Sequence, residues 1–179
     1  EGMTEIVGPM GFTDMDKEGM LVEGFEEDCT MATYYNPSYY PQIVERLSYK
    51  KEVDWIQYRI KANQEIPEKI LRINEVIKER YNLKIVDGLS AKQIAKRYGH
   101  KLFDTLNEAF SHLFGYVPLN EKQVQFYIDM YFPFLNKKLL CLIVDENDEI
   151  AAFGVSMPSL TEALRKSKGK LFPFGWYHL

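Results

Sequence analysis

Cysteine and histidine are scarce in this sequence: Cys29 and Cys141 are the two cysteines, and His100, His112 and His178 the three histidines. Two cysteines far apart, one in a polar turn and one in an apolar run, do not make a disulfide framework, so both are expected as free thiols in a reducing, cytoplasmic compartment. Metal centres of the zinc type announce themselves through paired Cys or His spacing, and none is present, so no metal is expected. Positive charge is not in excess either. With 22 Lys and Arg against 26 Asp and Glu, the net charge is −4, which offers no bulk attraction to nucleic acid or to an anionic membrane, and neither is expected as a partner. The longest apolar run, near Leu139 to Val144, is far too short to span a bilayer. No basic-then-apolar leader opens the sequence, so no secretory signal is expected.

Several catalytic signatures are also missing. There is no Gly-x-Ser-x-Gly elbow and no cysteine in a reactive context; Cys141, flanked by Leu140 and Leu142, reads as a small core residue. GPMGF at 8–12 has two glycines but no helix directly behind it to lend an anion-binding N-terminus. Asp14, Asp16, Glu18 and Gly19 reproduce the first half of a calcium loop, yet the position that needs a bidentate Glu is Phe25. That stretch is therefore expected to be a solvated acidic turn. Lys166, Lys168 and Lys170 read as a solvated, dipole-matched helix end.

What is present is a folding chain. At 179 residues it is long enough to bury about 70% of its unfolded surface, and an aromatic content of 14% argues against disorder. A strand is expected at 4–7, followed by a Gly-Pro break. Asn36-Pro37 is expected to open a helix, with Asn as cap and Pro at the first helical position, and with Tyr40, Ile43, Val44 and Leu47 on one face. Residues 50–60 read as a strand carrying Trp55, with large side chains on both faces. ANQEI at 62–66 is the expected linker. A helix follows from Pro67, with Ile70, Ile73, Ile77 and Tyr81 as its apolar face, then a short strand at 83–86. Ser90 with Gln93, and Asn120 with Gln123, form capping boxes for two further helices, the first loosened or kinked at Gly99. Residues 139–144 and 150–157 form the clearest β-hairpin, and Ser159 with Glu162 is expected to cap a last helix. The first residues and the aromatic end, FPFGWYHL, both read as cut from a longer protein.

Tyr34, Tyr35, Tyr39 and Tyr40 form a cluster around Asn36. A phenol can donate or accept a proton, so one of them near a helix start is a candidate acid; packing as an amphipathic wall is the other reading.

The stretches GPMGFTDMDKEGMLVEGF and YYNPSYYPQIVERLSYKKEVDWIQYRI resemble the second half of a GNAT-superfamily N-acyltransferase domain, of the kind found in bacterial proteins with two such domains in tandem. The segment from Lys101 to Leu160 resembles the first half of a second such domain. The resemblance implies a mixed α/β (α+β) fold with a largely antiparallel sheet flanked by helices, divided into 1–62 and 63–179. It also implies acetyl-CoA or another acyl-CoA as cofactor and a small-molecule amine as substrate. The superfamily's Arg/Gln-x-x-Gly-x-Gly/Ala loop is absent from this sequence. The usual thiolate-protonating Tyr falls on Val44, which leaves Tyr39 or Tyr40 as the catalytic acid. Asn36 stands where a helix Asn approaches the CoA arm, Tyr34, Tyr35 and Trp55 would line a substrate groove, and Asp54 or Glu23 would serve as base. The expected function is therefore an acyl-CoA-dependent N-acyltransferase; the alternative is a non-catalytic ligand-recognition or scaffold domain.

Overall fold

The computed structural model describes residues 2–30, 33–61 and 65–178. The fold is mixed α/β of the α+β kind, as expected: helices accompany a three-stranded antiparallel sheet. By packing, the chain divides into two compact units, one of residues 1–56 together with 158–179, the other of residues 57–157. The expected boundary at 62/63 and most of the expected linker lie at 62–64, outside the described residues.

The second unit holds the hydrophobic core. Helix α2 runs Glu68–Arg80, strand β1 Lys84–Ile85, helix α3 Ala91–Phe110, helix α4 Glu121–Tyr131, and strands β2 and β3 Leu140–Val144 and Ile150–Val155. Ser90 and Asn120 cap α3 and α4 through reciprocal bonds with Gln93 and Gln123, because the first turn of a helix leaves N–H groups that only a side chain or water can satisfy. Spacing by three and four then puts Ile94, Tyr98, Leu102, Phe103 and Leu106 of α3 on one buried face, opposite Val124, Tyr127 and Ile128 of α4. Gly99 does not kink α3, which runs unbroken. Its role is clearance: a Cβ at Gly99 would stand 3.0 Å from Ile128 Cδ1, so the two helices approach closely there.

Alternation along β2 sends Leu142 and Val144 into that core. Cys141 consequently points the other way and is exposed, which corrects the expectation of a core cysteine: period-two geometry, not the apolar neighbours, sets its side. β2 pairs with β1 on one side and β3 on the other, both antiparallel, with an irregularity at Ile143/Val144. In the hairpin turn, Asp145 Oδ1 accepts from the backbone N–H groups of Asn147 and Glu149, each at 2.9 Å. Those donors, that of Glu149 foremost, hold the Asp145 carboxyl below its ordinary range. The turn is stapled to α3. Tyr98 Oη donates to Asp148 Oδ1 at 2.6 Å, Arg97 Nε to Oδ2 at 3.0 Å, and Lys101 Nζ reaches Asp148 O and Glu149 Oε1 at 2.8 and 2.7 Å.

The first unit is built differently. Its regular elements are helix α1, Tyr40–Arg46, helix α5, Thr161–Lys166, and a final 3-10 turn. Residues 4–7 and 50–60 form no strand. The alternation read at 50–60 was that of a doubly covered strand, but Ile56, Tyr58 and Ile60 are largely exposed, and alternation without a pairing partner cannot define a sheet. α1 begins at Tyr40 rather than behind Asn36, with Tyr39 at the N-cap. α5 begins at Thr161 with Leu160 at the N-cap and no side-chain cap; Ser159 Oγ meets Thr161 N only at 3.4 Å, and Glu162 pairs with Lys166 instead. Polar links, Thr161 Oγ1 to Cys29 O at 3.0 Å and Arg165 to Asp28, tie residues 161–165 to the loop before residue 30. Among the described residues no helix is long and apolar enough to cross a membrane.

Candidate functional site

The site is assembled in the first unit, around the loop 8–25. Thr13 and Asp16 shape its turn: Asp16 N donates to Thr13 O at 2.9 Å, and Asp16 Oδ2 accepts from Phe12 N and Thr13 N at 2.9 and 3.1 Å. Gly11 is required because any Cβ there would lie 2.4 Å from Asp16 Cβ. The loop closes where Gly19 N donates to Pro9 O at 2.9 Å. Gly19 has φ +78° and lies under the Trp55 ring, 3.1 Å from where its Cβ would be, so a left-handed backbone and a close aromatic approach both call for glycine.

Asn36 anchors this loop from the other side. Its side chain is 4% exposed. Oδ1 accepts from Leu21 N at 2.7 Å, and Nδ2 donates to Leu21 O at 3.2 Å and Pro37 O at 3.1 Å. Both amide hydrogens are therefore used by the chain's own backbone. The side chain expected at the CoA arm therefore has no amide hydrogen left to donate.

The four tyrosines flank Asn36 along the chain. Tyr39 and Tyr40 stack at 5.1 Å between ring centroids with an interplanar angle of 28°, and both are about half exposed, as are Tyr34, Tyr35 and Trp55. Lys51 Nζ lies 2.7 Å from Asp54 Oδ2. Asp54 first, with the more distant Glu23 charge a weaker cause, holds the lysine charged, so one of the two expected bases is already paired with a cation. The structure thus brings Tyr39 to Tyr40, Trp55 to Gly19 and Asn36 to Leu21. It adds two groups from the incomplete calcium loop, Asp14 and Glu18. Asp14 is pushed above the ordinary carboxylate range by burial, and Glu18 by burial first and the Asp14 charge second. The D-x-D-x-E spacing was legible; its partial desolvation was not. No group of three or more His, Cys, Asp or Glu side chains among the described residues could hold a metal ion.

Two cavities lie in the second unit, and none of these residues lines them. One of about 510 Å³ opens between the segment Arg80–Leu83 and the hairpin residues Asp145 and Glu146. The other, about 150 Å³, has Ile94, Leu140 and Leu142 in its wall with Lys137 and Lys138 alongside.

Among curated proteins, the chain is similar to a bacterial ceramide synthase of Caulobacter vibrioides, 28% identical over 99% of this chain. It is also similar to the protein YghO of Escherichia coli, 25% identical over 100% of this chain. It spans 45% of the length of each. No family model matches the chain, and no solved structure does. These relatives correct the functional expectation. The one whose name states an activity states the synthesis of ceramide, in place of both an acyl-CoA-dependent N-acyltransferase for an unidentified amine and a non-catalytic scaffold. The physical reason for the miss lies in the motif residues. The Gly-Pro and the Asn-Pro belong to a structural brace of the loop, through Gly19 N to Pro9 O and Asn36 to Leu21, and a structural brace does not specify a chemistry.

Proposed function

We propose that this chain is a portion of a ceramide-forming enzyme, a protein of the transferase kind whose substrates and product are long-chain lipids. The observation that carries the reading is the match to a bacterial ceramide synthase along 99% of the chain. The first unit supports it. Ceramide joins a polar head to two long alkyl chains, and half-exposed aromatic rings at Tyr34, Tyr35 and Trp55 offer apolar walls with polar tips suited to such an amphiphile. Tyr39 and Tyr40, stacked and about half exposed, and Asp14 and Glu18 with raised pKa values, are the groups we assign to proton transfer at the head. Free thiols at Cys29 and Cys141 fit a cytoplasmic setting. The test is made on the full-length protein: ceramide formation followed by lipid mass spectrometry in a strain deprived of its own ceramide synthase, with Tyr39→Phe/Tyr40→Phe beside the unaltered protein. Loss of ceramide in the double variant at equal protein level is expected; undiminished ceramide would remove both phenols from the chemistry.

A further inference from the structure

Helix α2 is the least enclosed of the helices α2, α3 and α4. Every described residue from Glu65 to Asn82 is exposed, and no residue of α2 is buried. Its apolar residues are nonetheless ordered. At about 100° of rotation per residue, Ile70, Ile73, Ile77 and the capping Tyr81 fall within an arc of about 80°; Val76 and Leu71, also about half exposed, stand outside that arc, one on each side. These are large side chains left about half exposed: 56% at Ile70, 47% at Ile73 and 44% at Ile77.

The charges of α2 are ordered too. Glu68, Glu75 and Glu79 fall within about 40° of one another, diametrically opposite the isoleucine stripe. Lys69 and Arg80 stand on one shoulder of the stripe and Lys78 on the other, leaving Arg72 as the basic residue of the acidic side. Basic groups flanking an apolar stripe, with acids moved to the far pole, match a surface that is apolar inside and negative at its rim. A bilayer of anionic lipid is such a surface, with acyl chains beneath phosphate headgroups. The long stems of Lys69, Lys78 and Arg80 can lie along the apolar zone while their charges reach the phosphates. The net charge of −4 concerns the whole chain and does not describe this face.

We infer that α2 is an interfacial helix that docks the protein on an anionic membrane, apolar stripe down, about 20 Å of helix lying in the headgroup plane. The choice of lipid as occupant rests on the ceramide reading, since a lipid substrate resides in a bilayer; the charge order of α2 stands apart from that reading.

The experiment is flotation of the full-length protein with vesicles of phosphatidylethanolamine and phosphatidylglycerol, against vesicles of phosphatidylcholine alone. Binding is expected to the anionic vesicles and to weaken with added salt. Ile70→Glu/Ile73→Glu/Ile77→Glu, at exposed positions and with an unchanged circular dichroism spectrum, is expected to lower binding about tenfold or more. Lys69→Glu/Lys78→Glu/Arg80→Glu is expected to lower binding to the anionic vesicles alone. Flotation that is absent, or indifferent to the isoleucine changes, overturns the inference. So does a self-associated protein, seen by light scattering, that the isoleucine changes dissociate, because the stripe is then covered by a second copy. Ceramide formation scored on the same proteins separates the two claims. Ceramide without vesicle binding removes the docking helix and leaves the function; vesicle binding without ceramide does the reverse.

Discussion

Replacing Asn36 by Ala removes three hydrogen bonds at once, those with Leu21 N, Leu21 O and Pro37 O. A buried neutral hydrogen bond contributes about 1 kcal/mol net, and stranding its partners costs more. Leu21 is only half buried, so water can recover part of the loss, and the expected cost is about 2–3 kcal/mol. Asn36→Asp discriminates further. It keeps an oxygen for Leu21 N but sets its second oxygen against two carbonyls that Asn36 Nδ2 holds at 3.2 and 3.1 Å, so it is expected to be at least as damaging as Ala. Both tryptophans, Trp55 and Trp176, belong to the first unit, so intrinsic fluorescence reads the unit in which Asn36 sits. With a urea slope of about 1–2 kcal/mol/M, the fluorescence midpoint falls by about 1–3 M. Coincident midpoints for the variants and the parent would refute the brace and return Asn36 to the role of a ligand-facing residue, whose loss touches binding and not stability.

Two further predictions concern pH. Glu18 has its folded pKa raised by burial and by Asp14, so the fold favours its protonated form, and that contribution is present below the unfolded pKa and lost as pH rises through the folded one. Glu18→Gln, which keeps an acceptor for the Gly11 N–H, should therefore stabilise the first unit at pH 7 by about 0.5 kcal/mol or less. The gain in fluorescence midpoint should vanish under acid conditions, and an equal gain at both extremes would contradict it. Asp148 is the opposite case. Its carboxyl is held below the ordinary range, first by the Tyr98 phenol and then by Arg97, so its contribution is present above the unfolded pKa and lost as pH falls through the folded one. Tyr98→Phe should lower the urea midpoint read by circular dichroism at pH 7, and the gap to the parent should close as Asp148 is protonated; a pH-independent gap would assign the loss to packing instead.

Where a local pattern and its packing agree, the sequence was readable. The capping boxes at Ser90 and Asn120 and the hairpin around Asp145 are each set by residues a few positions apart, and each is found. Tertiary demands were not readable. Gly99 looked like a helix breaker because the sequence does not reveal Ile128 across from it. Asn36-Pro37 looked like a helix start because nothing local announces that Leu21, fifteen residues earlier, claims the amide. Residues 50–60 had the alternation of a strand, but pairing partners are a property of the assembled chain. At the candidate site, the tyrosines and the acidic spacing were visible as residues, whereas the partial burial that raises Asp14 and Glu18 depends on how the loop folds back under Trp55.

Ceramide formation is tested most directly by restoration of ceramide by the full-length protein in a bacterial strain lacking its ceramide synthase. Lipid extracts containing ceramide when the protein is expressed, and none with the empty vector, are the predicted result. Full-length protein present at normal level with no ceramide in the extract would contradict the account.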